Sequence, residues 1–138
     1  MPIHSKLPAV GTTIFTVMSA LAAEHGAINL SQGFPDYPCD PVLLDALAAA
    51  AHAGHNQYAP MAGLPALRQA IAAKLGVQHG ISVDPDTEIT VTAGATQALF
   101  TAIATVLHAG DEAILLDPSY DSYAPSILAQ GAKPVHIA

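Results

Sequence analysis

From Ile89 to Gly110 the chain carries no Asp, Glu, Lys or Arg, and an uncharged run of that length belongs either in a bilayer or in a protein core. Its content favours the core. Gly94 interrupts the run, four threonines fall in its first thirteen residues, and it opens on the alternation Ile89-Thr90-Val91-Thr92, which is a strand pattern. The pattern predicts a strand over 89–92 and a helix from Thr96 to His108, closed by Gly110. A second strand is expected at Ala113-Ile114-Leu115-Leu116, apolar throughout and therefore covered on both faces. Together these make a βαβ unit with parallel strands and a right-handed crossover. Asp121 to Gln130 then reads as a helix and Pro134-Val135-His136-Ile137 as a further strand, so the chain stops inside an α/β alternation.

Upstream, residues 1–11 read as an extended arm and 12–25 as a helix behind the N-cap candidates Thr12 and Thr13. Phe15, Met18, Ala22 and His25 share one face of it. The same stretch imitates a signal peptide, because Lys6 precedes an apolar run containing Ala20-Leu21-Ala22. Pro8 and Gly11 interrupt that pattern, and a short amphipathic helix explains it more simply. Ala27 to Leu30 is a short extended piece leading into the turn-rich Ser31-Gln32-Gly33-Phe34-Pro35-Asp36-Tyr37-Pro38. A helix follows from Pro41, capped by Asp40 and stopping near Gly54. Another has Pro65 in its first turn and is expected to end at Gly76, with Arg68 and Lys74 on its exposed side.

Composition narrows the classes of function. Four basic residues stand against eleven acidic ones, a net charge of -7, so no basic face is available for nucleic acid or an anionic membrane. Twenty-eight alanines and an absence of Trp favour close helix packing over a β-sandwich. Cys39 is the single cysteine, which excludes an internal disulfide and suits a reducing compartment. It has no base near it in sequence that would mark it as a nucleophile. His52 and His55 lie three apart with no third ligand type nearby, so a solvated helix end is expected there and no metal.

In a parallel sheet, the loops that follow the strands emerge on one edge, where ligands bind. Ala93-Gly94-Ala95-Thr96-Gln97 is one such loop. Glycine permits close backbone approach, and the helix beginning beside Thr96 offers unpaired N–H groups and a positive dipole end, the parts of a phosphate cradle. A Gly-x-Thr turn also caps a helix without any ligand, so both readings stand. Neither a dinucleotide fingerprint nor a P-loop is present. The second loop is Asp117-Pro118-Ser119-Tyr120-Asp121-Ser122-Tyr123. Tyr120 there could stack on a planar ring whose phosphate occupies the first loop, whereas Tyr123 is read as closing the sheet edge.

The set Asn29-Leu30-Ser31-Gln32-Gly33-Phe34-Pro35-Asp36, Asn56-Gln57-Tyr58, Gly63 with Leu67-Arg68, Gly94-Ala95-Thr96 and Asp117-Pro118-Ser119-Tyr120 resembles the class I pyridoxal-phosphate aminotransferases. Gly11-Thr12-Thr13-Ile14-Phe15 and Ser119-Tyr120-Asp121-Ser122-Tyr123 look most like the methionine aminotransferase and kynurenine–glutamine transaminase branch. The resemblance implies an α/β fold of type I, with an arm and small-domain segment over 1–36 and the incomplete start of the cofactor-binding large domain over 37–138. It implies pyridoxal 5'-phosphate as cofactor, held by Gly94 and the N–H groups of Ala95 and Thr96, with Tyr120 stacked on its pyridine ring. Tyr58 matches the tyrosine that reaches the phosphate bound by a partner subunit, which implies a homodimer with shared sites. Gly33 matches the glycine lining the substrate-carboxylate side, and Phe15 an apolar position facing the substrate side chain. The suspect N-terminal stretch becomes the ordinary first helix of a cytoplasmic enzyme.

The implied activity is amino transfer from an amino acid, methionine or an aromatic type favoured, to a 2-oxo acid by a ping-pong cycle. A C–S β-lyase on the same fold and a non-catalytic remnant are the alternatives. The family's Schiff-base lysine is not matched by Lys6, Lys74 or Lys133, so no catalytic residue is assigned. The acid beside the pyridine nitrogen and the substrate-binding arginine are also unmatched. The chain is therefore expected to be the N-terminal portion of such an enzyme, inactive by itself.

Overall fold

The computed structural model describes residues 2–33 and 35–138, so Phe34 of the turn-rich motif lies outside the described residues. The chain divides into two compact units, residues 35–93 and a second built from the N-terminal segment to residue 34 together with 94–138.

The discontinuous unit begins with α1, Ile14–Glu24, where the Thr13 hydroxyl accepts from the Thr16 backbone N–H at 3.3 Å. Thr13 thus satisfies one of the donors that a helix start leaves open. After α4 (Ala95–Val106) come β1 (Glu112–Leu116), α5 (Tyr123–Ala129) and β2 (Lys133–Ile137). The two strands pair in parallel with Glu112 opposite Lys133 and Leu116 opposite Ile137. The Glu112 and Lys133 side chains meet at 2.7 Å, and the backbone ladder extends outward through Lys133 N–H to the Asp111 carbonyl at 2.8 Å. The pairing holds the Glu112 carboxyl below its ordinary value, through the Lys133 hydrogen bond first and its charge second, and raises Lys133 reciprocally. α5 packs on both strands and on α4, and its Ile127, only 2% exposed, anchors the small core with Ala132.

Two expectations are corrected here. Ile89 to Thr92 is not a strand: the Val91 N–H goes to the Ala62 carbonyl at 2.9 Å, a loop acceptor and not a strand ladder. The βαβ unit therefore sits two elements later, as β1-α5-β2. Nor is β1 covered on both faces. Ile114 and Leu116 are 67% and 73% exposed while Ala113 and Leu115 are half-buried, so among the described residues only one face of the strand is packed.

The second unit holds α2 (Pro41–His52) and α3 (Pro65–His79). α2 has the predicted start: Asp40 Oδ1 accepts from Val42 N–H at 2.8 Å, and Pro41 occupies the first turn, where no N–H is needed. α3 runs past Gly76 and stops at Gly80, whose φ of 66° makes the left-handed C-cap. A glycine inside a helix weakens it by about 1 kcal/mol relative to Ala without ending it.

Arg68 is also corrected, since it is buried, unlike the exposed Lys74. It lies on the helical stripe with Ile71, Ala72 and Leu75, which are half-buried. Its Nε donates to the Gly63 carbonyl at 3.2 Å, and its Nη1 donates to the Pro85 carbonyl and pairs with Asp86 at 3.0 Å. The guanidinium thus ties the loop before α3 to the 84–88 turn. In that turn the Asp84 carboxyl is held below its ordinary value, mainly by the Asp86 N–H, then by the Thr87 hydroxyl and the Arg68 charge. No helix among the described residues is long and apolar enough to cross a membrane.

Candidate active site

The first element of the site is the start of α4. Gly94 has φ 88° and ψ 165°, a backbone setting that side chains other than hydrogen rarely adopt. This turns the chain directly into the helix, and Ala95 and Thr96 become its first two residues. Helix geometry gives their N–H groups no acceptor within the helix. Both residues are exposed, no acidic residue lies in the first turn, and a Cβ placed on Gly94 would meet nothing within 4 Å among the described residues. An anionic oxygen fits this donor set, which has a positive dipole end and open approach.

The second element follows β1. Asp117 continues the ladder by donating its N–H to the Ile137 carbonyl at 2.8 Å, and the Asp117–Pro118 peptide is cis. The turn then presents Tyr120, which is half exposed, before the Tyr123 N–H donates to the Tyr120 carbonyl at 3.1 Å as α5 begins. Tyr120 lies against two other rings. Its centroid is 6.2 Å from that of Phe15 with the planes inclined at 32°, and 5.9 Å from that of Tyr123 in an edge-on arrangement, both favourable aromatic geometries. Tyr123 also lines the apolar groove with Leu99 and Ile127, so it does more than close the sheet edge.

Phe15 and Tyr120 share a cleft of about 450 Å³ with Thr13, Thr16, Ser19, Gln32 and Asp121. Gly33 follows Gln32 directly, and a Cβ placed on it would meet nothing within 4 Å among the described residues. The segment carrying both is tied to α1 by Asn29, whose Nδ2 donates to Ser19 Oγ at 2.9 Å and whose Oδ1 accepts from the Ser31 N–H and hydroxyl at 3.1 and 2.6 Å. The structure therefore brings Phe15, Tyr120 and the neighbour of Gly33 to one cleft. It places Gly94, Ala95 and Thr96 in the same unit, at the start of a helix that packs on the one following Tyr120. The expected shared sheet edge is corrected, because only the Asp117 loop leaves a strand of the sheet.

Tyr58 belongs to the other unit. It is fully exposed on the loop after α2, whose base is fixed by the His55 N–H to the Ala50 carbonyl at 3.0 Å and by Asn56 Nδ2 to the Ala51 carbonyl at 3.2 Å.

Sequence reasoning missed Asn29 as the anchor of the Gly33 segment, and missed His136. The latter faces Asp117 with Nδ1 3.0 Å from both carboxylate oxygens. The local Asn-x-Ser spacing signals the first, whereas the second follows only from the register of two strands.

Residues 25–138 match the family model of the class I and II aminotransferases. The chain is 58% identical to the methionine aminotransferase of Escherichia coli over 128 residues, covering 93% of this chain and 33% of that protein. It is 44% identical to a probable N-succinyldiaminopimelate aminotransferase of Mycobacterium tuberculosis, covering 96% and 34%. Among solved structures, YbdL from E. coli, for which a methionine aminotransferase function is identified, superposes with a TM-score of 0.93 at 54% identity over 99% of this chain and 36% of that one. The chain spans about a third of the length of the curated relatives it matches. The fold is that of the type I aminotransferases, whose family members use pyridoxal 5'-phosphate. With its motifs matched in order and its backbone superposed on theirs, this chain belongs to the class I and II aminotransferase family.

Proposed function

We propose that the chain is the N-terminal portion of a pyridoxal-phosphate-dependent aminotransferase that moves an amino group from an amino acid to a 2-oxo acid, with methionine or an aromatic amino acid as donor. The observation that carries this reading is the start of α4, where Gly94 opens the approach to the N–H groups of Ala95 and Thr96. These donors hold the cofactor phosphate, and Tyr120 covers one face of its ring. When bound, the cofactor supplies an aldehyde that accepts the amino group and a ring that delocalises the electrons of the α-carbon.

Phe15 lines the cleft beside Tyr120 and meets the donor side chain, while the Gly33 backbone borders the substrate carboxylate. Among the described residues that line the cleft Asp121 is the one with a formal charge, and it is negative, which suits an uncharged donor side chain such as a thioether better than a carboxylate. The exposed ring of Tyr58 reaches the phosphate of a second subunit, which makes the enzyme a homodimer with shared sites, working in the cytoplasm. Residues 1–36 belong to the arm and small domain and 37–138 to the large domain. The lysine that holds the cofactor lies outside these 138 residues, so they alone do not turn over.

The test is the polypeptide translated from the complete reading frame. Purified with pyridoxal phosphate, it is expected to convert methionine and a 2-oxo acid to the exchanged pair. Release of ammonia and pyruvate from cysteine conjugates without an oxo acid would assign the lyase instead. Absence of cofactor binding would leave a non-catalytic remnant.

A further inference from the structure

Tyr120 sits four residues beyond the end of β1, and its ring position depends on how that short span is held. Parallel pairing sets Leu115 opposite His136. Asp117, two residues after Leu115, projects on the same face as both, so its carboxylate stands diagonally across from the imidazole. Nδ1 of His136 lies 3.0 Å from Oδ1 and 3.0 Å from Oδ2 of Asp117, the geometry of one N–H shared by two acceptors. The Asp117 backbone N–H is bound to the Ile137 carbonyl at 2.8 Å. Asp117 is thus fixed to β2 twice, by backbone and by side chain, while the far end of the span is fixed by the Tyr123 N–H on the Tyr120 carbonyl.

His136 does not line the cleft that holds Tyr120 and Phe15. Its imidazole bears on the site through Asp117. The backbone of β2 pairs with β1 whatever side chain stands at 136, so the imidazole can be removed without removing the sheet.

We propose that His136 is a positioning residue for the cofactor ring: through Asp117 it holds the 117–120 span so that Tyr120 is presented at the angle it has against Phe15. The inference rests on the functional reading above. Both partners are nearly half exposed, at 46% and 43% for their side chains, so water competes for the bond and the effect is moderate.

The experiment compares His136→Leu, which removes the donor, with His136→Asn, whose amide nitrogen stands near the place of Nδ1, in the polypeptide from the complete reading frame. Hydrogen exchange at the amides of Ser119, Tyr120 and Asp121 reads the position of the span without cofactor, and titration with pyridoxal phosphate reads its consequence. His136→Leu is expected to quicken exchange there and to raise the cofactor dissociation constant roughly two- to tenfold, the span of one net hydrogen bond. Far-UV circular dichroism is unchanged, and His136→Asn restores both readouts. If the unsubstituted protein binds the cofactor but His136→Leu matches it in exchange and affinity, or if Asn fails where Leu fails, the positioning role is overturned and the functional reading stands. If the unsubstituted protein binds no pyridoxal phosphate, the functional reading falls and takes the positioning role with it.

Discussion

A Cβ placed on Gly63 would stand 2.5 Å from Cγ2 and 2.7 Å from Cβ of Val91, and the Gly63 backbone has φ 101°. Val91 is held in that place by its N–H bond to the Ala62 carbonyl at 2.9 Å. Two separate penalties therefore fall on any side chain at 63, a steric one and a conformational one. Gly63→Ala is expected to destabilise the protein by about 2–4 kcal/mol, read as a lowered urea midpoint at unchanged slope. Adding Val91→Ala removes the Cγ2 contact but leaves both the Cβ contact at 2.7 Å and the positive φ, so the double variant recovers only part of the loss.

Arg68 supplies the second prediction, because its three partners differ in worth. Asp86 is 77% exposed, so the ion pair is screened and Asp86→Ala should cost under about 1 kcal/mol. The Gly63 and Pro85 carbonyls lose a charged donor when Arg68 is replaced. Arg68→Met is expected to cost about 2–4 kcal/mol, and Arg68→Lys to recover little, since an ammonium lacks the fork that spans both carbonyls. Denaturant unfolding of the three variants ranks them; equal losses for Asp86→Ala and Arg68→Met would show the ion pair to be the larger interaction.

These two sites mark where sequence reading reached its limit. The start of α2 is legible to the residue because Asp40 and Pro41 are local signals acting on their own neighbours, and its end at His52 falls close to the expected stop near Gly54. Arg68 is buried although its charge favours a solvated face, because the spacing of 68, 71, 72 and 75 puts it on the packed stripe. α3 ends at Gly80 and not at Gly76, because a glycine terminates a helix when it takes the left-handed conformation, as Gly80 does, and not by its identity alone. Strand 89–92 has the right residues, but a strand also needs a partner, and Val91 bonds to a loop. Tyr120 follows from its place in the loop after a predicted strand, whereas Phe15 rests on the family resemblance alone. Their 6.2 Å approach joins segments more than a hundred residues apart, and no local pattern encodes that.

The ring contact between Phe15 and Tyr120 gives the third prediction. If Tyr120 acts as a flat surface, its hydroxyl is dispensable and its ring is not. Tyr120→Phe is expected to keep the cofactor dissociation constant within about threefold, while Tyr120→Ala raises it roughly tenfold. Phe15→Ala should chiefly raise KM for the amino-acid donor, because Phe15 meets the donor side chain. Absorbance titration and initial rates on the whole enzyme distinguish the two; a Phe15 variant altered only in cofactor affinity would place that ring on the cofactor side.

The pair at the head of the sheet gives the fourth. Glu112 is held below its ordinary 4.5 and Lys133 above its ordinary 10.5, each by the other. For Glu112 the folded pKa is depressed, so its contribution is full above 4.5 and is lost as pH falls through the folded value. For Lys133 the folded pKa is raised, so its contribution is full below 10.5 and is lost as pH rises through the folded value. The pair therefore stabilises the sheet between those limits and fades outside them. Glu112→Gln is expected to lower the denaturation midpoint slightly at neutral pH and to match the unsubstituted protein at both extremes. Because both side chains are largely exposed, 1 M salt should shrink the neutral-pH difference. A difference between the two proteins that stays constant from acid to alkaline pH would instead assign the effect of residue 112 to packing or backbone propensity, with the 2.7 Å ion pair contributing nothing.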